Sequence, residues 1–258
     1  MKDQFDWASR ARSVCLVDPA GRVSTPAALA LLGVSAPRSN TEGPEVPTER
    51  TSGEDIAASQ ADVQWTNPST HGQAPATTPA GRLTVLSVVR GPWEVRAVRV
   101  EDPAPAAIAL RVGAGAVTGT EITSTTSSET ADGYASVRTD GVVSTIQAVS
   151  APATGDVRFQ DDAAGTPAAV PFLDFPVRTG GWVTMLITMS AEVSPGSGGN
   201  ARVTTDIRRT DGDFHALVVW PDGVTTKSVL RATAPPGSVP TQPTTMVPPG
   251  TDHKGDNK

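Results

Sequence analysis

The sequence predicts an all-β protein: an antiparallel β-sandwich or jelly-roll-like domain with extended N- and C-terminal arms. Three observations carry this. Between Arg82 and Ala232 the chain breaks into short β-branched runs. Asp-Gly pairs punctuate those runs at Asp132-Gly133, Asp140-Gly141, Asp211-Gly212 and Asp222-Gly223. Glycine reaches positive φ without a Cβ clash and Asp tolerates it, so Asp-Gly between strand-like runs signals a hairpin. No helical periodicity separates the runs, and an α/β fold would need helical crossovers there.

The elements follow in order. Val14 to Val17 reads as a strand, Asp18-Pro19-Ala20-Gly21 as a turn and Arg22-Val23 as a short return. A helix is expected next. Thr25 suits an N-cap, Pro26 the first helical position and Gly33 the C-terminal stop, with Ala27 to Leu32 between them. Two turns are too short to stand alone, so this helix must dock through residues such as Leu29 and Leu32. Residues 1–37 thus read as a small docking segment.

Residues 38–81 are polar and rich in Ser, Thr, Pro and Gly, the composition of a linker or arm. Trp65 stands out there and reads as an anchor on a neighbouring surface. Residues 82–232 form the expected sandwich, of about 150 residues, a normal domain size. Its most distinct hairpin joins Tyr134–Arg138 to Val142–Val149, and Trp182–Val193 is its longest run. The last hairpin joins His215–Trp220 to Thr226–Ala232 through Pro221-Asp222-Gly223. Residues 233–258 are Pro-rich and read as an extended tail.

Composition narrows the function classes. The net charge is −6 with acids and bases interspersed, which argues against binding a nucleic-acid backbone. The single cysteine, Cys15, allows neither an internal disulfide nor a cysteine zinc site. The opening residues carry no apolar signal-peptide core, and no run is long enough for membrane insertion. Aromatic residues make up 4% of the chain, so Val, Ile, Leu and Ala must build the core.

Each chemical motif has a plainer competitor. Gly113 to Gly119 has the spacing G-x-G-x-x-x-G and no helix after it, so a simple loop is favoured over a phosphate cradle. Asp211, Asp213 and His215 alternate as calcium ligands can, yet hairpin chemistry explains Asp211-Gly212 and no further acidic ligand follows at the loop spacing. Asp161-Asp162 reads as a solvated turn. A hydrolase would centre on His215, the one histidine of the strand block, but no nucleophile elbow accompanies it. Trp93, Trp182 and Trp220 would form a sugar-stacking platform if exposed, and otherwise fill the core.

The sandwich, the polar arms and the short docking helix resemble the build of virion proteins of tailed bacteriophages: capsid decoration, head fibre or minor tail components. The resemblance implies a non-enzymatic structural protein without cofactors, located in the virion and bound to other capsid or tail subunits, with homo-oligomers expected. Thr25, Leu29, Leu32 and Trp65 would then be anchoring residues. The alternative is a module that binds a cell-surface glycan through Trp93, Trp182 and Trp220. An enzyme built on His215 is the third reading.

Overall fold

The computed structural model describes residues 13–35, 55–67, 75–114, 117–118, 127–139, 142–161, 167–190 and 202–232. Among these residues there is no helix, and every strand ladder is antiparallel. The fold is all-β, as expected. No helix in the described residues is long and apolar enough to cross a membrane.

The strands form three sheets. The largest has eight strands in the order β2 (Thr25–Ser35), β3 (Asp55–Thr66), β4 (Thr77–Arg90), β5 (Trp93–Glu101), β13 (Trp182–Ser190), β10 (Val142–Ala148), β9 (Tyr134–Thr139) and β8 (Ser127–Ala131). A five-stranded sheet runs β1 (Val14–Val17), β6 (Ala109–Gly113), β12 (Pro167–Pro176) and β11 (Thr154–Asp161), with β7 (Val117–Thr118) also paired to β12. A three-stranded sheet runs β14 (Thr204–Thr210), β15 (Asp213–Val219) and β16 (Thr225–Leu230).

Strand alternation sets the layering. Successive side chains point to opposite faces, so a strand covered on both sides must be apolar at odd and even positions alike. β4 and β13 meet this demand. Leu83 and Val85 of β4, with Val183, Met185 and Ile187 of β13, face Leu110, Val112, Leu173 and Phe175 of the five-stranded sheet. On the opposite face, Leu86 and Val88 of β4, with Val95 and Ala97 of β5, meet Phe214, Ala216, Val218 and Trp220 of the three-stranded sheet. The large sheet is therefore the middle layer, and each neighbour covers one of its faces.

The helix expected at Thr25–Gly33 is strand β2. A strand sends residues three apart to opposite sides, and here that serves both cores. Leu29 packs toward the five-stranded sheet and Leu32, 3% exposed, toward the three-stranded one. A helix would have set both on one stripe. Pairing along the length of β3 overrides the local helix signals, and Pro26 is tolerated because β2 is an edge strand. The ladder shifts register between Pro26 and Ala28 and between Leu31 and Gly33.

The arm expected over residues 38–81 is also corrected. It contains β3 and the start of β4, both inside the large sheet. Trp65 is a core side chain, 3% exposed, among Leu83, Val85 and Val100, so it anchors the chain to itself. The small residues of β3, Ala57, Ala58, Ser59 and Ala61, are buried on both faces, which polar composition alone disguised. Residues 36–54, 68–74 and the tail 233–258 lie outside the described residues.

The hairpin signals have their conformational counterparts. Asp211 (φ 52°) and Gly212 (φ 90°) are both left-handed, as a two-residue type I′ turn between β14 and β15 requires. Trp220 to Val224 closes β15 onto β16 with Gly223 at φ 82° and a bond from the Trp220 N–H to the Val224 carbonyl, 2.8 Å. The Asp140-Gly141 turn lies outside the described residues.

One corner joins the two larger sheets. The Gly133 N–H donates to the Ala153 carbonyl at 2.7 Å, and Asp132 forms a β-bridge to Thr154. The backbone of Gly155 passes so close that a Cβ there would overlap the Tyr134 carbonyl and crowd the Ala131 oxygen at 2.9 Å. Only glycine permits this approach. Beyond β13 the large sheet thus curls toward the five-stranded sheet, and β8 and β9 meet β11.

Two carboxylates hold turns. Asp18 accepts from the Ala20 N–H (3.0 Å), the Arg22 N–H (2.8 Å) and Arg22 Nε (2.6 Å). Burial works to raise its pKa, but these hydrogen bonds and the Arg22 charge outweigh it and hold the carboxyl below its ordinary value. Asp222 accepts from Arg90 Nη1 at 2.7 Å, tying the β15–β16 turn to the end of β4. That hydrogen bond, first among its causes, holds Asp222 low as well. A carboxyl depressed in the folded state contributes stability above its unfolded value, about 3.9 for Asp, and loses it as pH falls through the folded value. The stability gap between wild type and Asp222→Asn is therefore expected to be full at pH 7 and to close in strong acid. Urea unfolding at both pH values measures it.

Candidate functional site

The three tryptophans proposed as a platform serve the layering. Trp220 is 1% exposed, and its ring stacks on Trp93 with centroids 6.3 Å apart. Its Nε1–H donates to Thr226 Oγ1 at 2.6 Å. Trp182 meets Phe214 edge-on at 6.2 Å. Trp93 and Trp182 are half-buried and pack against the same core. All three sit at the joint between the large and the three-stranded sheet. They do not form an open stacking surface.

Asp211, Asp213 and His215 are not brought together as ligands. Asp211 occupies the hairpin turn, Asp213 pairs with Thr210, and His215 lies opposite Arg208 and Val229. Among the described residues, no group of three or more His, Cys, Asp or Glu side chains is placed to hold a metal ion. His215 instead belongs to the outer face of the three-stranded sheet. This face forms a shallow depression of about 410 Å³ lined by Asp206, Arg208, His215, Leu217, Lys227 and Val229 among others. Arg208 holds Asp206 bidentately at 2.9 and 2.7 Å. Leu217 and Val229 are 40% and 50% exposed between these charges. The face offers both signs of charge around aliphatic side chains.

A second hollow, about 750 Å³, lies at the corner where β8 and β9 meet β11. Asp132, Tyr134, Gln147, Pro152, Thr154 and Asp174 are among its lining residues. Its size falls in the range of small-ligand sites, about 300–1,000 Å³. Asp174 is fixed by Arg111 through two bonds of 2.8 and 2.6 Å. In the sequence, Asp132-Gly133 reads as a turn alone. The available signal was the residue after it, Tyr134, the one tyrosine of the chain.

Cys15 sits in β1 beside Arg111 of β6. Burial, only partly offset by the Arg111 charge, pushes its thiol up to about 11. It is a protonated packing group at neutral pH, and not a ready nucleophile.

A second buried charged group is Arg96, between the two larger sheets and 3% exposed. Its guanidinium donates to Glu94 at 2.9 and 3.1 Å, to Ser13 Oγ at 2.6 Å and to the Gly113 carbonyl at 2.8 Å. Ser87 Oγ donates to the same Glu94 at 2.8 Å. The loop after Gly113, considered as a phosphate cradle, begins instead as a clamp: the Gly113 N–H donates to the Ser13 carbonyl and its own carbonyl receives Arg96. Residues 115–116 and 119 lie outside the described residues.

No family model matches the chain, and no curated protein matches it. Among solved structures, heparan sulfate lyase HepC from Pedobacter heparinus and a mutant of that enzyme are similar to it. Each has a TM-score of 0.45 and 11% identity, over 87% of this chain and 31% of the other. At that distance nothing about substrate or activity is carried over.

Proposed function

We propose that the protein is a non-enzymatic structural module, held in a larger assembly as virion components are. The carrying observation is the use of its aromatic residues. Trp93, Trp182, Trp220 and Phe214 bind one sheet to another, so the molecule spends its largest side chains on rigidity. What it turns outward is a set of charged and aliphatic strand surfaces suited to protein contacts, such as the face around Leu217 and Val229. The test is fractionation of particles from the producing cells on a density gradient, followed by mass spectrometry. The chain should comigrate with particles at a fixed ratio and stay bound through a salt wash. Recovery only in the soluble fraction would refute the assembly role.

The corner hollow favours a second reading, a saccharide-binding module. Carboxylate, amide and phenol groups beside prolines suit a neutral polyol better than an anion. A neutral oligosaccharide panel should then yield binding that Tyr134→Ala and Gln147→Ala weaken together. No binding across the panel, or binding that both variants leave unchanged, argues against it.

A further inference from the structure

We infer that the protein pairs with a second copy of itself through strand β14, forming a continuous six-stranded sheet from two three-stranded ones. This deepens the assembly reading by naming a partner and a surface. β14 is the end strand of its sheet and, among the described residues, pairs only with β15. It runs seven residues without proline, glycine or a register shift. A regular strand edge of this length is a template for a strand whose charges complement its own.

The residues of β14 make the choice of a second copy specific. Its sequence is Thr204-Thr205-Asp206-Ile207-Arg208-Arg209-Thr210. Antiparallel pairing about a two-fold axis at Ile207 sets Asp206 opposite Arg208 of the second copy, and Arg208 opposite its Asp206. Thr204 falls opposite Thr210, twice. Opposite charges and Thr–Thr pairs are both favourable when directly across strands. An interface related by a two-fold axis must be self-complementary in this way.

The other edges lack this property. β2 carries Pro26 and two register shifts. β11 is closed against the Asp132–Tyr134 corner. β1 has four residues. A pairing centred on β8 opposes Glu129 to itself, and one centred on Lys227 of β16 opposes two lysines. The last turn of chain in β16 also lies against Gly33 of β2. Among the described residues, no strand pairs with the free edge of β14. β14 lies over β13, where Thr205 Oγ1 meets Thr184 Oγ1 at 3.1 Å, and beyond β13 the large sheet curls away toward β11.

Sedimentation velocity of the full chain over a concentration series tests the inference. A concentration-dependent dimer is expected. Arg208→Asp places Asp206 opposite an acid at both symmetric positions and should raise the dimer Kd about tenfold or more. The exchange Asp206→Arg with Arg208→Asp restores both opposite-charge pairs and should return the dimer. A wild-type chain that stays monomeric throughout overturns the inference. So does a dimer indifferent to Arg208→Asp, or one that the double exchange fails to restore. If pairing fails while the chain still comigrates with particles, the assembly role stands and only this contact is refuted.

Discussion

Trp220→Ala is expected to lower the unfolding free energy by about 3–5 kcal/mol, the usual loss for a buried large aromatic. The side chain is 1% exposed and makes three kinds of contact at once. It stacks on Trp93, donates to Thr226 and fills the space beside Val218 and Val88. Small domains hold about 5–15 kcal/mol in total, so the change removes a large share of the stability. Trp220→Phe keeps a ring against Trp93 and gives up the indole donor, so a smaller loss of about 1–2 kcal/mol is expected. The damage should begin locally. Amides of β15 and β16 should exchange faster in the alanine variant than those of β4 and β5, because the outer sheet lies over the large one at this joint. Urea unfolding followed by circular dichroism, with hydrogen exchange by mass spectrometry, measures both effects. A loss below about 1 kcal/mol would contradict the interior role of this ring.

Arg96→Met should cost a similar amount, about 3–5 kcal/mol, for a different reason. The guanidinium is 3% exposed and the Glu94 side chain 10%. Removing the cation takes two charge-assisted bonds from a buried carboxylate and one bond each from the Gly113 carbonyl and the Ser13 hydroxyl. The penalty comes from the stranded charge more than from the net value of the pair. Replacing both members, Glu94→Leu with Arg96→Met, should therefore recover most of the loss, since buried ion pairs exchanged for apolar residues of similar volume are often neutral. Denaturant unfolding of the two single variants and the double completes the cycle. A double variant as weak as Arg96→Met would mean that the bonds to Ser13 and Gly113, which tie the five-stranded sheet to β5, carry the energy themselves.

The large sheet and its tryptophans mark where sequence patterns are informative. The β-branched runs and Asp-Gly turns exposed the all-β class because strand alternation and left-handed turn residues are local properties. β15 and β16 lie within about two residues of the expected runs. β2 and β3 were hidden for opposite reasons. The Thr25-Pro26 start and the alanines of β2 obey helix rules, and only pairing with β3, a tertiary effect, overrides them. β3 reads as linker because its buried positions are mostly Ala and Ser, residues small enough to lie between sheets without registering as hydrophobic. Trp65 reads as an anchor on another chain for the same reason, since the strand that carries it into the core does not register as one.

The sites were less legible than the fold. Trp93, Trp182 and Trp220 are far apart in sequence, and nothing local says whether they converge inward or outward. The corner hollow depends on Gly155 passing beside Tyr134, a contact between distant segments. The Asp206–Arg208 alternation of β14 was visible in the chain. Its meaning required knowing that β14 is an edge.

The central claim is that the tryptophans among the described residues are internal mortar. Residue-resolved oxidative footprinting of the native protein tests it most directly. Trp65 and Trp220 should stay unmodified until the protein unfolds, and Trp93 and Trp182 should react more slowly than after unfolding. Native oxidation of Trp220 at its unfolded rate would contradict the account, and would return these side chains to the role of an exposed ligand platform.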